Sequence, residues 1–529
     1  MENESENKNT GVETVTIPRP EYDELRARNA ELNRQVQWLM EQVRLAKHRQ
    51  FGASSEKSEY DQLNLFNEAE VDAESHAAEP ELTVVEQHYR KKAKEFGDSL
   101  PSDLPVETVE HTLPADEQVC PECGGPLHVM GKEVRRELKL IPAKAVIVEH
   151  VTYAYSCRCC EHTGCSVPVL KAKGDTPVIK GSFASPEAVA QIMVQKFVAG
   201  MPLYRQEQEF TRNGILLSRQ TMSNWLVRCA EDWLKPIYDA FHGILCHHQV
   251  LHADETVLQV LHEPGKTAQS KSYMWLYRTS SDAEMPIVLY DYQPDRRTRR
   301  PTEFLKGFQG YLHTDGYSGY HNLPEEITVV GCWAHARRKF DEALKGVPPG
   351  NQDGTDALRG KQYCDRLFAL ERELAGCTPE ERLKKRRDLA KPILDEYLSW
   401  LHTRNPAQKT GFGKAVHYVL DQWPYLERYL LDGRLEISNN RAERSIKPFV
   451  IDRKNFLFAN TSRGAGSSAV IFSIIETAKE NGLNPYEYLT EIFRRAPRLD
   501  SQSDANAWKC LLPNSLHIQE RCKLNAATH

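Results

Sequence analysis

No apolar run in this sequence approaches the roughly 20 residues that a membrane-spanning helix requires, so insertion into a bilayer is not expected. Residues 1–10 are polar and acidic, unlike the basic and apolar start of a secretory signal, so the cytoplasm is the expected compartment. An excess of positive charge is also missing: 68 Lys and Arg against 74 Asp and Glu give a formal net charge of −6. That balance argues mildly against a nucleic-acid partner, although such binding depends on local basic surface rather than on the total. No Gly-x-x-x-x-Gly-Lys-Ser/Thr loop is present, so ATP is not an expected cofactor. Nor is this a small disulfide scaffold: 13 Cys are spread over 529 residues with several clustered, which favours metal ligation.

The length allows two to four domains. Within residues 20–57, Leu25, Leu32, Val36, Leu39, Val43 and Ala46 recur at helical spacing. The segment fits a short coiled coil joining two copies of the chain, or a helix packed on its own domain. Residues 58–110 are rich in Glu, Ala and Asp and read as an acidic linker. In residues 111–170, Cys120-Pro121-Glu122-Cys123 and Cys157-Arg158-Cys159-Cys160 flank two runs of β character, 133–141 and 146–155. Two Cys-x-x-Cys knuckles facing each other make a tetrahedral sulfur cage for Zn2+, with Cys120, Cys123, Cys157 and Cys160 as ligands. Cys159 and Cys165 are spare thiols that can substitute.

Residues 180–240 read as helices. Ser185-Pro186 and Pro202-Leu203 are helix starts, Asn213-Gly214 a turn, and Ser218 the cap of a helix beginning Arg219-Gln220. Helix, turn, helix suits a reader of the DNA major groove, with Arg219, Gln220 and Asn224 placed to reach base edges. A plain helical bundle fits the pattern equally well.

From residue 248 the pattern changes to strands. Asp254 closes the apolar run Val250-Leu251-His252-Ala253, and Asp315 closes Tyr311-Leu312-His313-Thr314. Glu443 lies in a helical stretch that Ser438 or Asn439 can cap, with Arg444 and Lys447 following within a turn. Carboxylates are the ligands that hard divalent ions prefer, and paired ions can activate water and stabilise a leaving phosphodiester oxygen. Glu255 competes with Asp254, but neighbours on a strand point to opposite faces, so only one of them can face such a site. Residues 340–434 are charged and helical. Their basic run Lys384-Lys385-Arg386-Arg387 and the aromatics Trp400, Tyr418, Trp423 and Tyr425 can cover a nucleic acid or build a subdomain core. The small-residue stretch 460–467 reads as a loop before a helix starting near Ala469, able to hold a phosphate.

Three of these strings resemble the catalytic blocks of the insertion sequence 66 family of DDE transposases: Asp254-Glu255-Thr256, Thr314-Asp315-Gly316-Tyr317-Ser318-Gly319-Tyr320, and Asn439-Asn440-Arg441-Ala442-Glu443-Arg444-Ser445-Ile446-Lys447-Pro448. The resemblance runs from about Glu21 to about Arg495 and includes the cysteine knuckles. It implies a multidomain α/β protein, with a ribonuclease H-like catalytic core over 245–465 carrying the helical insertion. A coiled coil, a zinc-binding β element and a helical DNA-binding region would precede that core. A C-terminal helical element, 466–500, and a tail, 501–529, would follow.

In such a core the strand order is three strands, a helix, a strand, a helix and a strand. The first and fourth strands lie side by side, which would bring Asp254 and Asp315 together. The resemblance implies Asp254, Asp315 and Glu443 as ligands of Mg2+ or Mn2+. It implies DNA as partner, both terminal inverted repeats and target, contacted by Arg219, Gln220, Asn224, Arg444 and Lys447. A homodimer or higher oligomer, companion proteins of the same element and association with the nucleoid belong to the same expectation. Cys332-Trp333-Ala334-His335 resembles a signature shared by several DDE families. Cys332 and His335 stay outside the expected metal ligands, since no two further ligands can be named, and Trp333 reads as a core residue. A structure-specific nuclease or resolvase on the same fold, or a DNA-binding protein that has lost catalysis, are the alternatives.

Overall fold

The computed structural model describes residues 18–29, 146–151, 153–155, 170–171, 176–348, 350–499 and 507–524. The chain divides into two compact units, Met1–Ser55 with Pro177–Lys523, and Glu56–Thr176 with Leu524–His529. In the second unit Ala154–Tyr155 pairs antiparallel with Leu170–Lys171. Residues 146–151, expected to begin that strand, have no regular structure and find no pairing partner among the described residues. The cysteines expected to bind zinc lie outside the described residues. In the first unit residues 19–29 form a helix exposed along its whole length, and the rest of the expected coiled coil also lies outside the described residues.

The first unit is built on a six-stranded sheet. Its central strand, β1 (Val250–His262), is buried on both faces over its first four residues, which explains why that stretch is apolar without alternation. β2 (Lys271–Thr279) pairs antiparallel with β1 on one side, and β3 (Val288–Gln293) pairs antiparallel with β2. β4 (Gly310–His313) pairs parallel with β1 on the other side, and β5 (Ile327–Val330) parallel with β4. The order is therefore β3-β2-β1-β4-β5, with a short β6 (Ala459–Thr461) added in parallel at the far end of β1. Gly310, at φ +148°, opens β4 where any Cβ would overlap the Gln249 carbonyl, so its lack of a side chain lets β4 enter beside β1.

The link from β4 to β5 differs from expectation. It holds a single 3-10 turn, Ser318–Tyr320, instead of an α-helix. Gly316 at φ +90°, Gly319 and Pro324 leave no stretch long enough for a helix to propagate.

Four helices fill residues 186–245, immediately before the sheet. α1 (Pro186–Phe197) is capped by Ser185, whose Oγ accepts from Ala188 N at 3.1 Å. α2 (Leu203–Arg212) turns through Asn213 and Gly214 into α3 (Arg219–Cys229), and a π-helical turn carries α3 into α4 (Lys235–Leu245). α5 (Arg299–Phe304) links β3 to β4. After β5 come α6 (Trp333–Lys345), α7 (Asp356–Glu373), α8 (Pro379–Lys385), α9 (Lys391–His402) and α10 (Gly411–Leu426). Their core is a second cluster, centred on Trp333, Phe340, Tyr397, Trp400 and Trp423, which takes in only Val250 of β1 and Val330 of β5 as buried sheet residues.

The chain then returns to the sheet in α11 (Asn440–Phe456), α12 (Ser462–Glu480) and α13 (Pro485–Arg495), with α12 against β3 and α13 against α1. α12 begins seven residues before the expected Ala469. Thr461 caps it, its Oγ1 accepting from Gly464 N at 3.1 Å, so the small residues 462–468 are its first turns rather than a loop. The expected tail is also structured in part. Residues 507–511 form a 3-10 turn and α14 (Leu516–Cys522) follows. Leu511, Ile518 and Cys522 are buried, and the Tyr488 hydroxyl donates to Leu511 O at 2.7 Å, so this segment covers the end of α13.

Candidate active site

The parallel pairing of β1 and β4 sets His252 opposite His313, and their rings stack at 4.6 Å in full burial. Asp254 and Asp315 each lie two residues further along, at the corresponding place beyond the paired stretch. Burial pushes the Asp254 carboxyl well above the usual carboxylate range, and the negative charges of Glu255, Asp315 and Glu443 push it further. Asp254 therefore sits in the field of both other predicted acids. Its Oδ1 accepts from Glu255 N at 2.8 Å, and Asp315 Oδ1 accepts from Tyr317 N at 2.9 Å, so backbone amides steady both side chains.

Glu255 points elsewhere, as alternation along a strand requires. Its buried carboxylate accepts from Arg296 Nε at 2.7 Å and from the Tyr320 hydroxyl at 2.5 Å. Its charge is already matched by protein groups, while Asp254 has no cationic partner among the described residues.

Glu443 lies in the first turn of α11, and three interactions fix that helix. From β2, Arg278 reaches Ser445 Oγ and both oxygens of Glu480, at 3.1 and 2.9 Å. From β3, the Tyr290 hydroxyl donates to Ser445 O. The third is Asn439, fully buried just before α11. Expected as a capping side chain, it makes no cap hydrogen bond. Its Nδ2 donates to Ala253 O at 2.8 Å, its Oδ1 lies 3.0 Å from His252 Nδ1, and its backbone N–H donates to Cys332 Sγ at 3.1 Å. With Nδ2 donating, Oδ1 must accept, which places the His252 proton on Nδ1. One amide thus binds the Asp254 strand, the start of α6 and the Glu443 helix. Asn439→Ala is expected to cost about 2–4 kcal/mol, because it leaves buried groups without partners. Urea denaturation of the two proteins measures it.

A closer donor cluster lies beside Glu443. Among the described residues, Cys332, His335 and Glu443 place one sulfur, one nitrogen and one oxygen donor all within 4.8 Å of one another. Sequence reasoning set Cys332 and His335 aside, although their spacing across the start of α6 was the available signal. Glu443 Oε2 meets Arg338 Nη2 at 3.2 Å. The site is closed from the insertion side by Tyr418, whose hydroxyl donates to Asp315 O at 3.0 Å.

The residues expected at a DNA surface fall in two places. Arg219 starts α3, with its backbone N–H donating to Glu207 Oε1 at 2.9 Å and its side chain exposed. Gln220 and Asn224 are joined by a 3.2 Å hydrogen bond one turn apart. Arg444 and Lys447 are exposed on α11, adjoining Glu443. Other basic residues are engaged internally: Arg296 by Glu255, Arg300 by Asp295, and Arg386 by Glu371. Trp333, Trp400 and Trp423 are core residues of the insertion, so none is presented for stacking on a base.

Comparison with known proteins gives consistent matches along the chain. Residues 181–467 match the model described as transposase IS66 family. Residues 117–161 match the zinc-finger binding domain of transposase IS66, a span that contains Cys120, Cys123, Cys157 and Cys160. Residues 38–109 match a model described as transposase C of IS166 homeodomain, and residues 473–513 the IS66 C-terminal element. The uncharacterized protein y4jD of Sinorhizobium fredii is 30% identical over 430 residues, covering 78% of this chain and 81% of that protein. The uncharacterized protein y4qI of the same organism is 31% identical over 409 residues, covering 74% and 72%. No helix among the described residues is long and apolar enough to cross a membrane.

Proposed function

Because this chain belongs to the transposase IS66 family, we propose that it binds the ends of its element and catalyses metal-dependent DNA strand cleavage and strand transfer. The observation that carries this reading is Asp254, half-buried at the edge of the β1–β4 pairing in the combined negative field of Asp315 and Glu443. The β3-β2-β1-β4-β5 order, antiparallel on one side of β1 and parallel on the other, supports a ribonuclease H-like core.

The donor set fits Mg2+ or Mn2+. All three groups offer carboxylate oxygen, and among the described residues Glu443 Oε1 is buried without a hydrogen-bond partner and Asp254 has no cationic partner. When bound, a pair of such ions supplies an activated water or 3′-hydroxyl and stabilises the departing oxygen. The protein's part is placement. Asp254 and Asp315 are set by strand ends and backbone amides, and Glu443 by the Asn439 and Arg278 anchors on α11. Arg444 and Lys447 carry exposed positive charge beside the acids, where a DNA backbone must run to present its phosphate. The α2–α3 pair reads the terminal repeats through Arg219, Gln220 and Asn224, assisted by a zinc element held by Cys120, Cys123, Cys157 and Cys160. The N-terminal helical segment brings copies of the chain together, and the complex works on chromosomal DNA in the cytoplasm.

The test is a strand-cleavage and joining reaction on a duplex carrying the element end, with Mg2+ or Mn2+. A free 3′-hydroxyl at the element end, then covalent joining to target, supports the reading. Cutting without joining would instead favour a structure-specific nuclease, and binding without cutting a derivative that has lost catalysis.

Two groups of variants separate reading from docking. Gln220→Ala and Asn224→Ala are expected to lose about 1–3 kcal/mol of preference for the end sequence. The Arg444→Ala, Lys447→Ala double variant is expected to weaken binding to all duplexes and to lower the salt slope by about 2. Salt-dependent titrations with specific and unrelated duplexes measure both.

A further inference from the structure

The structure assigns a second kind of metal site to this region: we propose that Cys332, His335 and Glu443 bind one Zn2+ through sulfur, nitrogen and oxygen. The site stands on geometry and does not depend on the strand-cutting reading. His335 Nδ1 and Glu443 Oε1 face each other at 3.6 Å, too far for a hydrogen bond. Both atoms are buried, and among the described residues both lack a hydrogen-bond partner. Two buried polar atoms left open towards each other are costly unless something sits between them. Zinc–nitrogen and zinc–oxygen bonds of about 2.0–2.2 Å at tetrahedral angles set such donors roughly 3.3–3.5 Å apart, and the observed separation is within about 0.1 Å of that range.

Cys332 supplies the third donor. It is the residue before α6, and His335 follows three positions later, on the first turn of the helix. Burial and the charge of Glu443 hold the thiol up, to about 12. A metal reverses that preference, since coordination deprotonates a thiol outright. Two features suit a thiolate once a metal offsets that penalty: Asn439 N–H donates to Cys332 Sγ, and the sulfur stands at the positive end of a 13-residue helix. Arg338 pairs with Glu443 Oε2, which leaves Oε1 for the ion. Sulfur and imidazole together select Zn2+ or Co2+ over Mg2+. A water or a phosphate oxygen completes the tetrahedron. Glu443 is common to this site and to the carboxylate site proposed above, so zinc held here withdraws Oε1 from the pair Asp254 and Asp315. If that reading of the carboxylates fails, only this consequence goes with it.

The experiment uses the full chain, stripped of metal and titrated with Co2+, with bound metal counted by elemental analysis and thiolate ligation read from the sulfur-to-cobalt absorption band. Two equivalents with thiolate ligation are expected, one on the Cys120 knuckles and one on the new site, counted apart from any Co2+ held by carboxylates alone. Cys332→Ser and His335→Gln should each lose one equivalent, and Cys120→Ser only the other. His335→Gln keeps the readout if the buried Cys332→Ser variant does not fold. Retention of full metal content by His335→Gln, or a single equivalent in the unaltered chain that disappears with Cys120→Ser, overturns the site. Loss of strand cleavage in Asp254→Asn with this cobalt band intact would show that the two proposals stand apart.

Discussion

Asp254→Asn is expected to slow strand cleavage by at least about a thousandfold while leaving binding to the element end within about twofold. Metal-assisted stabilisation of charge in the transition state is worth several kcal/mol, and each 1.36 kcal/mol is a factor of about ten in rate. Asn keeps the shape of Asp but removes the anionic oxygen that the ions need. The same variant should not weaken the metal-free fold. Burial, with Glu255, Asp315 and Glu443 nearby, already disfavours the charged form of Asp254, so removing that charge relieves repulsion. An equal or higher midpoint in thermal unfolding, beside lost cleavage, is the expected pair of results. A functional site that stores strain in this way commonly gains stability when disabled. Asp315→Asn and Glu443→Gln should lose cleavage similarly. Normal cutting by any of the three refutes the assignment.

Arg386→Ala is expected to destabilise the protein by about 3–5 kcal/mol, the typical cost of breaking a buried ion pair by removing one partner. Arg386 is 1% exposed. Its guanidinium holds Glu371 with two bonds of 2.7 and 2.6 Å, and donates to the carbonyls of Tyr429, Asp432 and Leu435 at 3.0, 3.1 and 2.8 Å. It therefore clasps α7, the π-helical turn after α8 and the segment leading to α11. Arg386→Lys should recover little, because an ammonium cannot reproduce the planar fork that serves five acceptors. Chemical denaturation followed by tryptophan fluorescence reports it well, since Trp333, Trp400 and Trp423 belong to the same core.

Arg386 also shows where sequence reasoning stops. In Lys384-Lys385-Arg386-Arg387 all four residues carry the same charge, and nothing in the string says which one turns inward. The run was expected to cover a nucleic acid or to help build a subdomain, without a choice among its four residues. Partners that decide the matter lie 15 to 49 positions away. Trp400 and Trp423 follow the same logic, since an aromatic on a charged helix becomes a core residue only when its neighbours close over it. By contrast, the strands that carry Asp254 and Asp315 were legible. Short apolar runs ending in an acid mark a buried strand leaving the core. The identity of the fold came from the resemblance, because adjacency of β1 and β4 is not written in local periodicity. The helix expected between β4 and β5 was an error of pattern transfer, overruled locally by Gly316, Gly319 and Pro324. Asn439 was legible as a cap by residue type, but tertiary contacts with Ala253 and His252 took its side chain instead. Cys332 and His335 were visible as a spaced pair, whereas their third partner, Glu443, became evident only when α6 and α11 were seen together.

The central claim is that Asp254, Asp315 and Glu443 form one cation site. Anomalous diffraction from crystals of the protein with an element-end duplex and Mn2+ measures this directly. Manganese peaks bound to the carboxylates of Asp254 and Asp315, with Glu443 completing the set, are the predicted result. Peaks confined to other residues, with these three carboxylates bound to none, would contradict it.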